Sequence, residues 1–211
     1  MCMANENNVV TVGLAAERFF RLYHAHCTAP SQDTLFSLLE AGHSLNDRMK
    51  RGTNLNFFDF PEFTALKCLR NYFHHQQELR HVVRLIPIAN YPIVTDLAVL
   101  CLVPAKMVEA AIDETPARHL EAAQKAARKV FHWYGSVVNI NPSLFNFVVL
   151  AYEHLRSAEV TLSGSAFEEF EVSYRYEVEN GFSHFVDGTL STLAGSVSQL
   201  LDDIMSTKFS R

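Results

Sequence analysis

The sequence contains few of the residues that mark the special classes of protein. Only eight Gly and seven Pro occur among 211 residues, which excludes collagen-like and low-complexity chains. Hydrophobic residues make up 48% of the chain and charged residues 19%, the opposite of the balance found in disordered chains. These numbers leave a globular protein, long enough to bury about 70% of its unfolded surface.

Long apolar runs and paired cysteines are also missing. No run reaches the ~18 apolar residues of a membrane-spanning helix, because a proline and a lysine interrupt the longest one, at 97–107. The first ten residues lack the basic flank and apolar stretch of a signal peptide. The four cysteines form no C-x-x-C pair. We therefore expect a cytoplasmic protein with no membrane association, in which Cys27, Cys68 and Cys101 are small buried hydrophobic residues.

The common sequence motifs for phosphate, metal and acyl chemistry are absent. The chain lacks both glycine-rich phosphate-binding motifs, G-x-x-x-x-G-K-[ST] and G-x-G-x-x-G. It also lacks H-E-x-x-H, G-x-S-x-G and an EF-hand loop. A dinuclear carboxylate site needs Glu-x-x-His pairs on two helices, together with a glutamate from each of two more. Glu78 with His81 and Glu40 with His43 have the pair spacing, which by itself is a weak signal for a metal. We therefore expect no cofactor and no bound metal.

Charge is distributed unevenly around a net charge of −5. Residues 48–84 contain seven Lys or Arg against three Asp or Glu, whereas residues 153–203 contain ten acidic residues against two basic ones. The first region would attract a polyanion and the second would repel it. The alternative is that both regions are ordinary solvated surfaces, complementary to each other in an oligomer.

Most of the chain has the apolar spacing of amphipathic helices, with hydrophobic residues every three or four positions. Pro61 suits a first helical turn, and Ser165 with Glu168 fits a capping box. The predicted helices span about 12–27, 31–51, 59–85, 116–137, 141–155, 165–178 and 182–204. The pattern therefore predicts an all-α bundle of about seven helices.

Residues 86–104 are rich in β-branched residues and broken by prolines. They fit either a short β-hairpin or a short buried helix capped by Asp96. We expect one domain over residues 1–211, with a division near 113–116 as the weaker alternative. The apolar faces exceed what a small helical core needs, which favours a homodimer.

Polar residues are concentrated in the predicted third helix. Asn71 and His75 are four residues apart, on one helical face, and His74 is four residues after Arg70. Histidine exchanges protons near neutral pH, and the planar guanidinium of arginine fits a phosphate. These groups suit the activation of a ribose 2′-hydroxyl against the neighbouring phosphodiester, a reaction that needs no metal.

The segment from Arg70 to His75, Arg-Asn-Tyr-Phe-His-His, resembles the R-N-x-x-x-H signature of HEPN domains. These domains are helical, commonly dimeric, and occur in ribonucleases of toxin–antitoxin and phage-defence systems. The resemblance implies that two copies of the motif face each other across a dimer cleft and cleave RNA without metal. It also implies that Arg70 contacts the scissile phosphate, that His75 is the acid–base group and that Asn71 orients them. The residues that we assign to substrate binding are His74, Arg80 and His81.

Two hypotheses of function therefore stand together. The first is a HEPN-like endoribonuclease whose partners are RNA and an antitoxin or other protein; it requires that Arg70 and His75 reach solvent. The second is a non-catalytic helical dimer that acts as an interaction or regulatory protein through its acidic C-terminal half. The Arg-x4-His spacing by itself does not decide between them, because Arg21 and His26 share it.

Overall fold

Eight α-helices occur in the part of the chain that this computed structural model describes: residues 2–53, 55–75, 82–193 and 195–207, with side chains from residue 10 onward. The helices are α1 (Cys2–Thr28), α2 (Gln32–Gly52), α3 (Pro61–His75), α4 (Ala105–Asp113), α5 (Ala117–Val130), α6 (Asn141–Ser157), α7 (Ser165–Asn180) and α8 (Val197–Ser206). The strands are β1 (Arg84–Pro87), β2 (Ile93–Val94), β3 (Val99–Pro104), β4 (His132–Tyr134), β5 (Val137–Asn139) and β6 (Ser191–Thr192). The fold is therefore mainly helical, with a minor β component.

Local capping explains why the second helix begins where the sequence predicts. The Ser31 hydroxyl accepts a hydrogen bond from the Thr34 N–H at 3.1 Å, and the Thr34 hydroxyl accepts one from the Ser31 N–H at 2.9 Å. Such a reciprocal pair satisfies two backbone donors at the helix start. The capping box predicted at Ser165 is wrong, because Gly164 is the N-cap there and no side chain caps the helix.

The prediction of a mainly helical fold is confirmed, but three of the predicted helices are too long, where apolar spacing resembled a helix. The predicted helix 59–85 does not reach Leu85, which pairs with Cys101 across β1 and β3. The predicted helix 116–137 stops at Val130, because Gly135 has a φ of +63° and turns the chain from β4 into β5. The predicted helix 182–204 begins only at Val197.

The strands form two antiparallel sheets. Four of them lie in the order β1-β3-β5-β4, and β2 pairs separately with β6. The open alternative at 86–104 is therefore decided in favour of strands, with β1 starting two residues earlier than expected. In the described part of the chain, no helix is both long and apolar enough to cross a membrane.

The chain divides into two compact units. The first unit contains residues 1–63 and 146–185, and the second contains residues 64–145 and 186–211. Their boundaries fall within α3, within α6 and after Phe185. Residues 113–116, where the weaker alternative placed a division, lie inside the second unit. The expectation of a single domain stays a prediction.

Aromatic rings fill the interior of the first unit, in which α1 packs on α2 and on α7. The Phe20 ring lies 5.4 Å from Phe167 and 5.2 Å from Phe170, centroid to centroid. The Phe57 ring, fully buried, contacts Phe147 at 5.4 Å. Gly42 lets α2 approach this cluster, since a β-carbon there would lie 3.1 Å from the Phe147 ring. Helix packing in this unit is therefore aromatic and close.

A cluster of buried aliphatic residues, mostly from the strands and α8, lies in the second unit. Its buried members are Ile86, Ile93, Leu97, Leu100, Leu102, Val137, Leu190, Leu201 and Ile204. Polar side chains fix the backbone beside it: the Asn139 side-chain oxygen accepts from the Cys101 N–H at 3.1 Å and from the Asn141 N–H at 3.2 Å. Because buried backbone groups need partners, these bonds set the path of the chain from β5 into α6.

Candidate active site

The polar candidates lie on α3, which belongs to the second unit from residue 64 onward. Leu66, Leu69 and Phe73 are buried along this helix. The Cys68 thiol donates a hydrogen bond to the backbone oxygen of Ala111 at 3.0 Å, which ties the helix to α4. A helix fixed on its apolar side holds the remaining residues in defined directions. The polar residues between these anchors are therefore presented at the surface of α3.

Arg70 and Asn71 form a hydrogen-bonded pair. The Arg70 Nη1 donates to the Asn71 Oδ1 at 3.0 Å, with Arg70 half-buried and Asn71 exposed. An amide oxygen that accepts from a guanidinium restricts where the guanidinium plane points. Arg70 is thereby positioned by its neighbour, with its Nε buried in the protein. A guanidinium held in this way has the planar geometry that fits a phosphate.

Two exposed imidazoles end the same helix. His74 and His75 occupy its last turn, and their ring centroids are 5.5 Å apart with the planes at 80°. Both rings reach solvent, as the acid–base role predicted for His75 requires. Arg80 and His81, also predicted to bind substrate, lie outside the described residues.

The competing Arg-x4-His pair, Arg21 and His26, has a different environment. His26 is buried, and its Nδ1 lies 2.9 Å from the Thr34 hydroxyl. Burial lowers the pKa of His26 to about 4, because a charged imidazole loses its hydration there. His26 is therefore neutral near pH 7. Its ring is enclosed by the protein, whereas the side chain of His75 is exposed.

Other nucleophilic and metal-binding chemistry finds little support among the described side chains. Burial raises the pKa of the Cys68 and Cys101 thiols, which disfavours the reactive thiolate. Cys27 is exposed, so the prediction that it is a buried hydrophobic residue is wrong. No group of three or more His, Cys, Asp or Glu side chains in the described part of the chain could hold a metal ion.

Sequence analysis missed a second polar cluster, in the first unit. The His184 Nδ1 lies 2.6 Å from a Glu177 carboxylate oxygen, and its ring stacks on Tyr174 with centroids 3.7 Å apart. The Tyr174 hydroxyl donates to Glu153 at 2.9 Å. Burial and this bond raise the pKa of Tyr174 to about 12. These contacts fix the segment after α7. The sequence signal that could have revealed the cluster was Gly181, because the chain reverses there with a φ of +67°.

Comparisons with known proteins add no assignment. Nothing matches this chain among family models, curated proteins or solved structures. The functional argument therefore rests on the α3 residues and their geometry.

Proposed function

We propose that this chain is a HEPN-like, metal-independent endoribonuclease of a toxin–antitoxin or phage-defence system. The observation that carries the proposal is the hydrogen bond from Arg70 to Asn71, followed one turn later by the exposed His74 and His75. A phosphate-binding guanidinium, an orienting amide and solvent-accessible imidazoles thus lie within two turns of one fixed helix. The second Arg-x4-His pair lacks this combination, because His26 is buried.

In the proposed reaction, neutral His75 takes the proton of a ribose 2′-hydroxyl. The resulting oxygen attacks the adjacent phosphorus while the bond from phosphorus to the 5′-oxygen breaks. Arg70 stabilises the charge that develops on the phosphate oxygens, and Asn71 keeps its guanidinium in place. The histidine of the second copy of the motif, in the dimer that the resemblance implies, gives the leaving 5′-oxygen a proton. The products are a 2′,3′-cyclic phosphate and a 5′-hydroxyl.

An RNA cleavage assay in the presence of EDTA tests this proposal. Wild type and the Arg70→Ala, Asn71→Ala and His75→Ala variants are incubated with total RNA, and the ends of the fragments are analysed. Loss of a general acid–base group typically lowers the rate by about 10²–10⁴-fold, so we expect His75→Ala to be nearly inactive. The matched control is His119→Ala, which removes an exposed histidine from α5 in the same unit and should retain full activity.

The assay can also refute the proposal. Cleavage that is equal in wild type and in His75→Ala would assign the activity to another site or to a contaminant. Intact RNA in every reaction, from protein with a native circular dichroism spectrum, would reject the ribonuclease.

The second hypothesis, a non-catalytic interaction or regulatory protein, has an observation of its own. The α7 helix contains five glutamates and only one arginine, and it exposes Val172, Tyr176 and Val178. Exposed apolar residues within a charged surface are typical of protein interaction sites. This hypothesis predicts that Arg70→Ala and His75→Ala leave the protein's function in the cell unchanged, whereas charge reversal on α7 abolishes it.

A further inference from the structure

The outward side of α7 combines apolar and acidic residues. Val172 and Tyr176 are four residues apart, on one helical face, and expose 59% and 57% of their surface. Glu168 lies one turn before Val172, is exposed, and forms no ion pair among the described residues. Within the first unit this face has no packing partner of its own among the residues that the structure describes.

The outward side of α1 has a matching pattern with the opposite charge. Val10 and Leu14, again four residues apart, expose 61% and 62% of their surface. Arg18 lies one turn after Leu14, and Arg21 follows on the same side. Both arginines lie at the surface of this helix, and neither is in an ion pair in the described part of the chain.

The two helices lie side by side and run in the same direction. Glu17 accepts a hydrogen bond from Ser163 just before α7, at 3.4 Å, and His24 further along α1 contacts Glu169 at 3.0 Å. Later residues of α1 therefore meet later residues of α7. As a result, the apolar pair of α1 and the apolar pair of α7 lie toward opposite ends of one shared surface, with Arg18 and Glu168 between them.

We propose that this surface joins two copies of the chain through a two-fold axis perpendicular to α1 and α7. Such an axis lays α1 of one copy antiparallel on α7 of the other, with Val10 and Leu14 against Val172 and Tyr176. In that register one turn toward the C-terminus of α1 corresponds to one turn toward the N-terminus of α7. Arg18 of one copy then meets Glu168 of the other, and the same pair forms twice.

Apolar contact and charge complementarity thus agree on one register, which favours a second copy over an unrelated partner. Sliding α1 along α7 would separate the apolar pairs, and turning it to a parallel orientation would move Arg18 away from Glu168. The interface uses only residues of the first unit, so it does not depend on the proposed ribonuclease site of the second unit. The ribonuclease mechanism needs a dimer contact of its own at α3, so a monomeric wild type would count against both proposals. A dimer that tolerates charge reversal on α1 and α7 would count against this interface alone, and loss of RNA cleavage in His75→Ala would leave this interface untouched.

Charge reversal with cross-complementation tests the interface. Arg18→Glu and Glu168→Arg each create two like-charge contacts in the symmetric dimer. We expect the apparent dissociation constant of the dimer to rise at least about tenfold in each variant. In an equal mixture of the two variants, the heterodimer has opposite charges at both contacts, one in the native sense and one reversed. The double variant Arg18→Glu/Glu168→Arg reverses both pairs. We therefore expect both the mixture and the double variant to dimerise about as tightly as wild type. Sedimentation velocity measures all samples, and the control is Arg118→Glu, which makes the same charge change on an exposed residue of α5.

Each result decides the question. A dimer that both single variants weaken and the double variant restores supports the interface. A wild-type protein that remains monomeric at about 100 μM, far above the micromolar range of ordinary specific complexes, refutes it. A dimer that tolerates both variants uses another surface. A dimer that the single variants weaken but the double variant fails to restore would contradict the antiparallel register and leave the face to a different partner.

Discussion

In the first unit, helices meet through aromatic rings; in the second, strands and helices meet through aliphatic side chains and through polar groups bonded to the backbone. Phe57 represents the first kind, with ring contacts to Phe63, Phe147 and His154. Asn139 represents the second, fully buried and bonded to two backbone N–H groups. Replacing a buried ring by a smaller side chain leaves a cavity and lowers stability. Replacing a buried polar side chain by an apolar one leaves the backbone groups without hydrogen-bond partners.

The surfaces of the two units differ as well. Of the ten large hydrophobic residues that are exposed among the described side chains, eight belong to the first unit and two to the second. The proposed catalytic residues Arg70, Asn71 and His75 all belong to the second. The two proposals therefore fall on different units: the proposed interface uses the first unit and the proposed ribonuclease site uses the second.

The largest expected effect is on the aromatic interior. Phe57→Ala should lower the free energy of unfolding by about 3–5 kcal/mol, because it removes a fully buried ring and leaves a cavity. Phe58→Ala is the matched control, since Phe58 is 45% exposed and its loss should matter much less. Urea unfolding followed by circular dichroism measures both. Equal decreases in the free energy of unfolding of the two variants would contradict an aromatic interior centred on Phe57.

The next effect concerns backbone packing in the second unit. At Gly188, φ is +70° and a β-carbon would lie 2.2 Å from the Pro142 side chain, so Gly188→Ala should cost about 2–4 kcal/mol. Gly181 in the first unit has nearly the same φ, +67°, but a β-carbon there would have nothing within 4 Å. Gly181→Ala should therefore cost only about 1–2 kcal/mol. Thermal unfolding of the two variants separates the cost of steric overlap from the cost of the left-handed backbone. A larger loss of stability in Gly181→Ala than in Gly188→Ala would contradict this explanation.

A pH-dependent effect should appear in the first unit. Burial lowers the pKa of His26 from 6.5 to about 4, so the unfolded chain takes up this proton first as the pH falls. Stability is unaffected above pH 6.5 and is lost progressively between pH 6.5 and 4, by up to about 3 kcal/mol. His26→Gln should flatten the stability profile in this window. Parallel profiles for wild type and variant would show that other groups cause the acid sensitivity.

The smallest expected effect is on a surface pair of the second unit. The Arg128 guanidinium lies 3.9 Å from the Trp133 ring centroid and 3.2 Å from Glu109, but both members of the ion pair are half exposed. Arg128→Ala should cost about 0.5–1 kcal/mol, as exposed cation–π and ion pairs do. Trp133, the only tryptophan, reports the loss by its fluorescence during unfolding. A cost above about 2 kcal/mol would mean that this contact is part of the core.

Much of the helical structure could be predicted, because its signals are local. The helix after Ser31 has a cap, an apolar stripe and a glycine at its end, and all three act within a few residues. The hairpin of β4 and β5 could not be predicted in this way. Val130, Tyr134 and Val137 have helical spacing, and it is the turn at Gly135 together with the long-range pairing of β5 with β3 that decides against a helix.

The candidate site shows the same limit. That Arg70, Asn71, His74 and His75 share one helix follows from local spacing. The hydrogen bond between Arg70 and Asn71 does not, because adjacent residues on a helix point to different sides. The pairing of Glu177 with His184 depends instead on a chain reversal at Gly181. The burial of His26 agrees with its seven-residue spacing from the buried Phe19, but the Thr34 hydroxyl that contacts its ring comes from α2 and is not predictable from α1.

The division of the first unit into residues 1–63 and 146–185 has a consequence for synthesis. α7, which packs beside α1, begins at Ser165, more than 100 residues after the end of α2 at Gly52. When the ribosome has made α1 and α2, α7 is therefore not yet synthesised. The apolar sides of α1 and α2 remain without this partner while residues 64–145 are translated. At about 5–20 residues per second, that interval lasts several seconds, during which a chaperone has access to the nascent N-terminal helices.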